Sequence, residues 1–203
     1  MSINISYKSK KLGRIPSINL LAGPTCIKDA PCNKGCYAKK GAFRYDKVIK
    51  SHYNNWMAYL ENNEQYFKDI HKELNKGIML YKYVRWHMSG DIVDMKYLYG
   101  VVELAKKNKR TKFLIFTKKF NLVNMYIAVN GDLPKNLIVL FSAWDKDFKI
   151  DNPYNLPVYY VNFKKKKKNP EIPTKAKKCQ GSCEDCLACW KLKKGQSAVV
   201  DQH

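Results

Sequence analysis

Cys26-Ile27-Lys28-Asp29-Ala30-Pro31-Cys32-Asn33-Lys34-Gly35-Cys36-Tyr37-Ala38 places three cysteines within eleven residues. The loop follows a short apolar run, Ile18 to Ala22, and Pro24, Pro31 and Gly35 keep it irregular. A strand that delivers three thiolates from its C-terminal end, ahead of a long helical stretch, is a metal-site layout. A structural zinc site closes on four ligands. Three thiolates on an iron–sulfur cube leave one iron open for a substrate or cofactor. The loop is therefore read as a cluster site. Its alternatives are three core thiols, or a zinc site completed by His52, His87 or a later cysteine.

The chain around this loop alternates helical and strand patterns. Ile49, Tyr53, Trp56, Leu60, Phe67, Ile70 and Leu74 recur at helical spacing, as one helix or two broken near Asn62-Asn63, with that stripe facing the core. Gly77 suits a helix C-cap. Strands are expected at Ser17 to Ala22, Ile78 to Met88, Lys112 to Phe116, Leu137 to Phe141 and Val158 to Phe163. Helices are expected at Met95 to Lys107 and Leu122 to Val129. Short, continuous apolar strands alternating with helices are the pattern of parallel βαβ units buried on both faces. The expected fold is α/β, a partial (open) β/α barrel of about five to six parallel strands, with a C-terminal cysteine-rich cluster-binding tail. In such folds the working residues sit at the C-terminal ends of strands. The three cysteines, Ser89-Gly90-Asp91, Thr117-Lys118 and Ser142 all fall there. Residues 1–16 read as a basic, loosely ordered lead-in.

From Lys164 the composition changes. Five lysines run together, followed by Pro170, Pro173 and three more lysines, as in a solvated arm. This divides the chain into residues 1–163, the partial barrel with its cysteine triplet, and residues 164–203, a linker with a four-cysteine metal-binding tail. Cys179, Cys183, Cys186 and Cys189 lie within eleven residues, directly before Trp190. That spacing suits zinc or a [4Fe–4S] cluster, and bacterial ferredoxin runs are similarly tight. Three plus four accounts for all seven cysteines, which favours two sites.

The net charge is +21. It reads as an electrostatic footprint for nucleic acid, or as the bias of an AT-rich genome, since only Arg14, Arg44, Arg85 and Arg110 are arginines. No run of about 18 apolar residues suggests a membrane span. The N-terminus lacks an apolar signal region, so a reducing cytoplasm is expected and a disulfide framework is not.

A cysteine triplet after the first strand and a glycine–acid motif after the second resemble the radical S-adenosylmethionine superfamily. The resemblance implies that Cys26, Cys32 and Cys36 ligate a [4Fe–4S] cluster whose fourth iron chelates S-adenosylmethionine. It implies that Ser89, Gly90 and Asp91 hold the cofactor's amino group, and that Thr117, Lys118 and Ser142 meet its carboxylate and ribose. The triplet departs from the usual spacing: gaps of five and three stand here instead of three and two, and Ser89 replaces the first glycine of the usual pair. Cys36-Tyr37-Ala38, Arg85-Trp86-His87-Met88-Ser89-Gly90-Asp91, Thr117-Lys118 and Cys186-Leu187-Ala188-Cys189-Trp190 together resemble more closely the "gene product 88"-like family of phage and mobile-element proteins. These motifs speak to membership and not to reaction.

Arg85 and His87 alternate with Trp86 and Met88, so both are expected to point to one side. His87 is read as an acid–base group or cluster neighbour, and Arg85 as a partner for a carboxylate or phosphate, with Asp91 completing the catalytic set. The bland reading is a satisfied core pair. Asp145 and Asp147 are general bases or, more simply, part of a solvated turn.

Two function classes follow. The first is a radical enzyme that cleaves S-adenosylmethionine to a 5′-deoxyadenosyl radical, needs an electron donor and acts on a nucleotide or nucleic acid. A variant of it uses the open iron without S-adenosylmethionine. The second is a nucleic-acid-binding module with both cysteine groups structural.

Overall fold

The computed structural model describes residues 3–76, 81–163 and 171–201. Its elements are β1 (Ile5–Ser6), β2 (Ser17–Ile18), α1 (Asp46–Glu61), α2 (Asn63–Leu74), β3 (Tyr83–Trp86), α3 (Met95–Lys107), β4 (Lys112–Thr117), α4 (Phe120–Asn130), β5 (Leu137–Ala143), β6 (Val158–Asn162), β7 (Lys177–Lys178), α5 (Cys183–Cys186) and β8 (Ser197–Asp201). One open sheet of eight strands runs β1-β2-β3-β4-β5-β6-β8-β7. β1 is antiparallel to β2, and every other neighbouring pair is parallel.

Strands β2 to β6 follow one another in space as in sequence, so the sheet is wound in one direction. Right-handed crossovers then put all the connecting helices on one face. That face carries the larger core. Ala58 and Tyr59 of α1, Ile70 and Leu74 of α2, Leu98 and Val102 of α3 and Val123 and Ile127 of α4 meet Phe113, Ile115, Val139 and Phe141 of the sheet. The alternate strand residues, Leu114 and Leu140, point to the other face. There they meet Leu12 and Ile15 from the N-terminal segment and Trp190, Leu192 and Ala198 from the C-terminal one.

Several boundaries follow from local chemistry. The long helical stretch is two helices, and the Asn62 side chain accepts a hydrogen bond from Gln65 N (2.9 Å), capping α2. Asp94 caps α3 in the same way, accepting from Tyr97 N at 2.8 Å. Gly131, at φ 77, ends α4.

The fold departs from expectation in five places. The sheet has eight strands, because β1, β7 and β8 are too short or too polar to carry an apolar pattern. The lead-in is ordered: β1 pairs with β2, and Leu12 and Ile15 are buried. The first strand is only Ser17–Ile18, since the chain leaves regular pairing there, although Leu20 N still reaches Ser89 O at 3.0 Å. The α1 stripe is not the core face: Ile49, Tyr53 and Leu60 are exposed, while His52, Asn55, Ala58 and Tyr59 are buried. That face is chosen by hydrogen bonding, because Asn55 Nδ2 donates to Asn4 O (2.8 Å) and Asn19 O (2.9 Å). Finally, the C-terminal segment returns to the sheet, with β8 paired to β6 over five residues. The Gly77 cap, the first residues of the strand expected from Ile78, and the lysine run from Lys164 lie outside the described residues.

Candidate functional site

The β2 and β3 exits are stitched together side chain by side chain. Asn19 Oδ1 accepts from Met88 N (2.8 Å), and Asn19 Nδ2 donates to Ser17 Oγ (3.1 Å). Thr25 is fully buried; its hydroxyl donates to Leu21 O (2.8 Å) and accepts from Asp91 N (3.2 Å). Tyr37 OH donates to Met88 O at 2.8 Å. The cysteine loop is therefore pinned at both ends to the chain that leaves β3.

Gly90 lies against that loop. Its φ of +83 favours glycine, and a Cβ there would sit 2.7 Å from Thr25 Oγ1 and 2.8 Å from Leu20 Cβ. Asp91 follows and is buried. Its Oδ1 accepts from Ile92 N (2.7 Å) and its Oδ2 from Lys118 N (3.0 Å). Burial pushes the Asp91 carboxyl up, and hydrogen bonds from Lys118 N, Thr117 and Ile92 N pull it back. Lys118 Nζ reaches Ser142 Oγ at 3.1 Å and stands 5.6 Å from the Trp144 ring centroid.

These groups surround one cavity of about 360 Å³ at the C-terminal strand ends. Cys26, Cys32, Cys36, Ser89, Gly90, Asp91, Thr117, Lys118, Ser142, Arg85 and His87 all line it. The cavity therefore brings together the whole first cysteine group and every strand-end residue singled out from the sequence. Lys11, Phe43, Phe116, Trp144 and Tyr159 also line it and were not anticipated. Alternation along β4 and β6 could have suggested Phe116 and Tyr159; nothing in the sequence marks Lys11.

Arg85 and His87 reach the cavity differently. β3 ends at Trp86, and His87 takes φ 59, so the expected alternation stops one residue early. Arg85 stands over the Phe116 ring, 4.3 Å from its centroid. The His87 ring instead packs with Trp86 and Tyr97, on the helical side. Burial first, then the charges of Lys119 and Arg85, lowers the His87 pKa to about 3, so the imidazole is neutral.

The thiols form two neighbourhoods. Cys26 and Cys32 feel Cys36 and Asp91, and burial pushes both thiols up; Lys118 partly offsets this at Cys32. The second neighbourhood is Cys179, Cys183, Cys186 and Cys189. Burial raises Cys189 to about 12, opposed by the charge of Arg85. Among the described residues, no three His, Cys, Asp or Glu side chains gather tightly enough to hold a single metal ion. His52 is buried in α1 beside Phe43, its pKa lowered to about 4 by burial, and it does not line the cavity. Asp145 and Asp147 do not line it either. Asp145 Oδ1 accepts from Asp147 N (3.2 Å) and Phe148 N (3.0 Å), a self-capped turn.

The Trp190 indole fixes the second group to the sheet. It is buried, its Nε1 donates to Val84 O at 3.3 Å, and its ring meets Tyr83 edge-on at 5.8 Å. Cys183 N donates to Lys11 O (2.8 Å), and Glu184 pairs with Arg14 at 3.0 Å.

The fold and this cavity define an open, mostly parallel α/β protein with a thiol-lined pocket at its strand ends. The chain belongs to the gene product 88 family, whose model matches residues 3–192. No curated protein and no solved structure matches it. No helix of the described residues is long and apolar enough to cross a membrane.

Proposed function

We propose that this chain is an iron–sulfur enzyme of the radical S-adenosylmethionine type, acting on a nucleotide or nucleic acid. One observation carries the reading: the three cysteines of the first loop line a single cavity with Ser89, Gly90, Asp91, Thr117, Lys118 and Ser142. The open sheet with helices on one face is, on this reading, part of a β/α barrel.

The donor set is the test of fit. Ligands of one tetrahedral zinc ion lie roughly 3.8 Å apart, from a Zn–S bond of about 2.3 Å. The described side chains form no such group. A structural zinc ion closes on four ligands, whereas three thiolates on a cube leave one iron open toward the cavity the loop lines. Burial disfavours the thiolates at Cys26 and Cys32, so cation binding is what would deprotonate them.

Cys26, Cys32 and Cys36 would hold the first cluster. When bound, it supplies an open iron for the amino and carboxylate groups of S-adenosylmethionine, and an electron. Asp91 keeps a lone pair free for the amino group, beyond those that take Ile92 N, Lys118 N and Thr117. Lys118 and Ser142, already bonded to each other, suit the carboxylate and ribose. The aromatic walls at Phe43 and Trp144 exclude water. Cys179, Cys183, Cys186 and Cys189 would hold a second cluster or zinc. The net charge of +21 supports the polyanionic substrate. It also supports the second reading, a nucleic-acid-binding module whose thiols hold structural zinc. The setting is cytoplasmic, where thiols stay reduced and an electron donor is at hand.

Iron and acid-labile sulfide per chain, on anaerobically purified protein, test the reading. An electron paramagnetic resonance spectrum of the reduced form is taken before and after adding S-adenosylmethionine. About eight irons for two cubes, with one signal perturbed, is the expected result. Zinc without iron transfers the conclusion to the binding module.

A further inference from the structure

Arg85 is 7% exposed and lines the cavity. Its guanidinium makes no ion pair or hydrogen bond with a described residue, and its Nε is buried without a partner. The groups that its charge shifts include Tyr37, Tyr159, Cys183, Cys189 and His87, which are phenols, thiols and an imidazole. Asp91, the buried carboxylate of the cavity, is tied to the Lys118 backbone instead. A buried cation with no countercharge is costly, and a ligand anion relieves that cost.

His87, two residues on, is strained, and its ring packs on the helical side of the sheet. It is 3% exposed, holds a left-handed φ of 59, and its Nδ1 has no partner among the described residues. Strain of this kind in a bulky residue clusters at ligand-binding positions. Its Nε2 lies 3.1 Å from Tyr97 OH, which lies 3.4 Å from Tyr66 OH. If Tyr66 donates to Tyr97 and Tyr97 to Nε2, both buried hydroxyl hydrogens are used. The reverse direction leaves the Tyr66 hydrogen without an acceptor. The first arrangement puts the imidazole proton on Nδ1.

We propose that Arg85 forms an oxyanion subsite in the cavity wall, taking a carboxylate or phosphate group of the ligand. The guanidinium brings donors and no acceptor, and its fork fits two oxygens of one anion. The Arg85 Cζ stands 4.3 Å from the Phe116 ring centroid, a cation–π contact that restricts the guanidinium. This rests on the cavity being the functional site, and not on which metal the thiols hold.

The test is calorimetric titration of the full chain with inorganic phosphate and, separately, with oxalate, at fixed ionic strength. Wild type is expected to bind one of them saturably at about one per chain, and R85M and R85K tenfold or more weakly. R85K keeps the charge and removes the fork, so the many surface lysines cannot account for the difference. Tighter phosphate binding assigns a phosphate-bearing ligand; tighter oxalate binding assigns a carboxylate. Equal affinity in all three proteins overturns the subsite, as does no saturable binding to wild type. Binding by C186A but not by wild type also overturns it, because a metal–thiolate group then already neutralises Arg85. Metal content is measured on the same samples. Arg85-dependent binding to a chain without iron keeps the subsite and ends the radical-enzyme reading.

Discussion

The backbone N–H of Lys118 donates to Asp91 Oδ2 at 3.0 Å, joining the exit of β3 to the exit of β4 across 27 residues of sequence. The same carboxylate caps Ile92 N. Asp91 thus sets the spacing between the glycine turn and the lysine that faces Ser142.

Asp91→Ala leaves two N–H groups unpaired in a buried setting. The expected loss of stability is about 1–3 kcal/mol, read by urea unfolding. Asp91→Asn keeps an acceptor for one of them and loses less. Equal losses would mean that the oxygen Asn keeps holds nothing.

Cys36→Ala and Cys186→Ala address the two thiol neighbourhoods separately. With two sites, each variant loses about half the iron of wild type, as one of two cubes. Complete loss from either single variant would show one shared site.

Gly90→Ala meets Thr25 Oγ1 and Leu20 Cβ at once, at a φ that alanine disfavours. Overpacking and the left-handed backbone together cost roughly 2–4 kcal/mol. Limited proteolysis should cut the loop of Cys26 to Cys36 faster than in wild type, because that loop leans on the turn.

Trp190→Ala empties the centre of the smaller core and frees the Val84 carbonyl. A loss of about 3–5 kcal/mol is expected in denaturant unfolding. Trp190→Phe, which keeps most of the volume, loses less. A near-neutral Trp190→Ala would mean that the C-terminal segment does not depend on this anchor.

His52 gives a pH dependence with a defined sign. Its folded pKa is about 4, against 6.5 for the free side chain, because burial disfavours the charged ring. Between those values the unfolded chain binds a proton that the folded chain does not. Stability therefore falls as pH drops from about 6.5 to about 4, by roughly 1.4 kcal/mol per unit for this one group. His52→Phe should flatten that slope relative to wild type, measured by urea unfolding at pH 7.5, 6 and 5. An unchanged slope would place the titration elsewhere.

The sequence made the centre of the sheet plain and its margins obscure. Lys112 to Phe116 and Leu137 to Phe141 are buried on both faces, so they read as continuous apolar runs. β7 is two lysines, and β8 is Ser-Ala-Val-Val-Asp; neither carries a period, and pairing, chiefly with β6, makes β8 a strand. The α1 face was obscured by polarity, since Asn55 turns inward to hold β1 and β2. The gathering of the cysteine loop with Ser89-Gly90-Asp91, Thr117-Lys118 and Ser142 was legible, because parallel strands put their C-terminal ends on one rim. The isolation of Arg85 was not, because a missing partner is a fact of three dimensions. His87 misled for a local reason: one residue of positive φ undoes an alternation argument.

The last crossover carries the second cysteine group. Between β7 and β8 the chain makes a parallel connection through four cysteines and α5, a helix of only four residues. On one side β8 pairs with β6 over five residues; on the other it pairs with β7 over two. Cooperative opening should therefore begin at the β7 edge and stop at β6. In native-state hydrogen exchange, amides around Lys177–Lys178 and α5 would exchange through this partial opening, while those of β4 and β5 wait for global unfolding. Occupancy of the four thiols would be read as slowed exchange along one rim of the molecule, with the rest of the sheet unaltered.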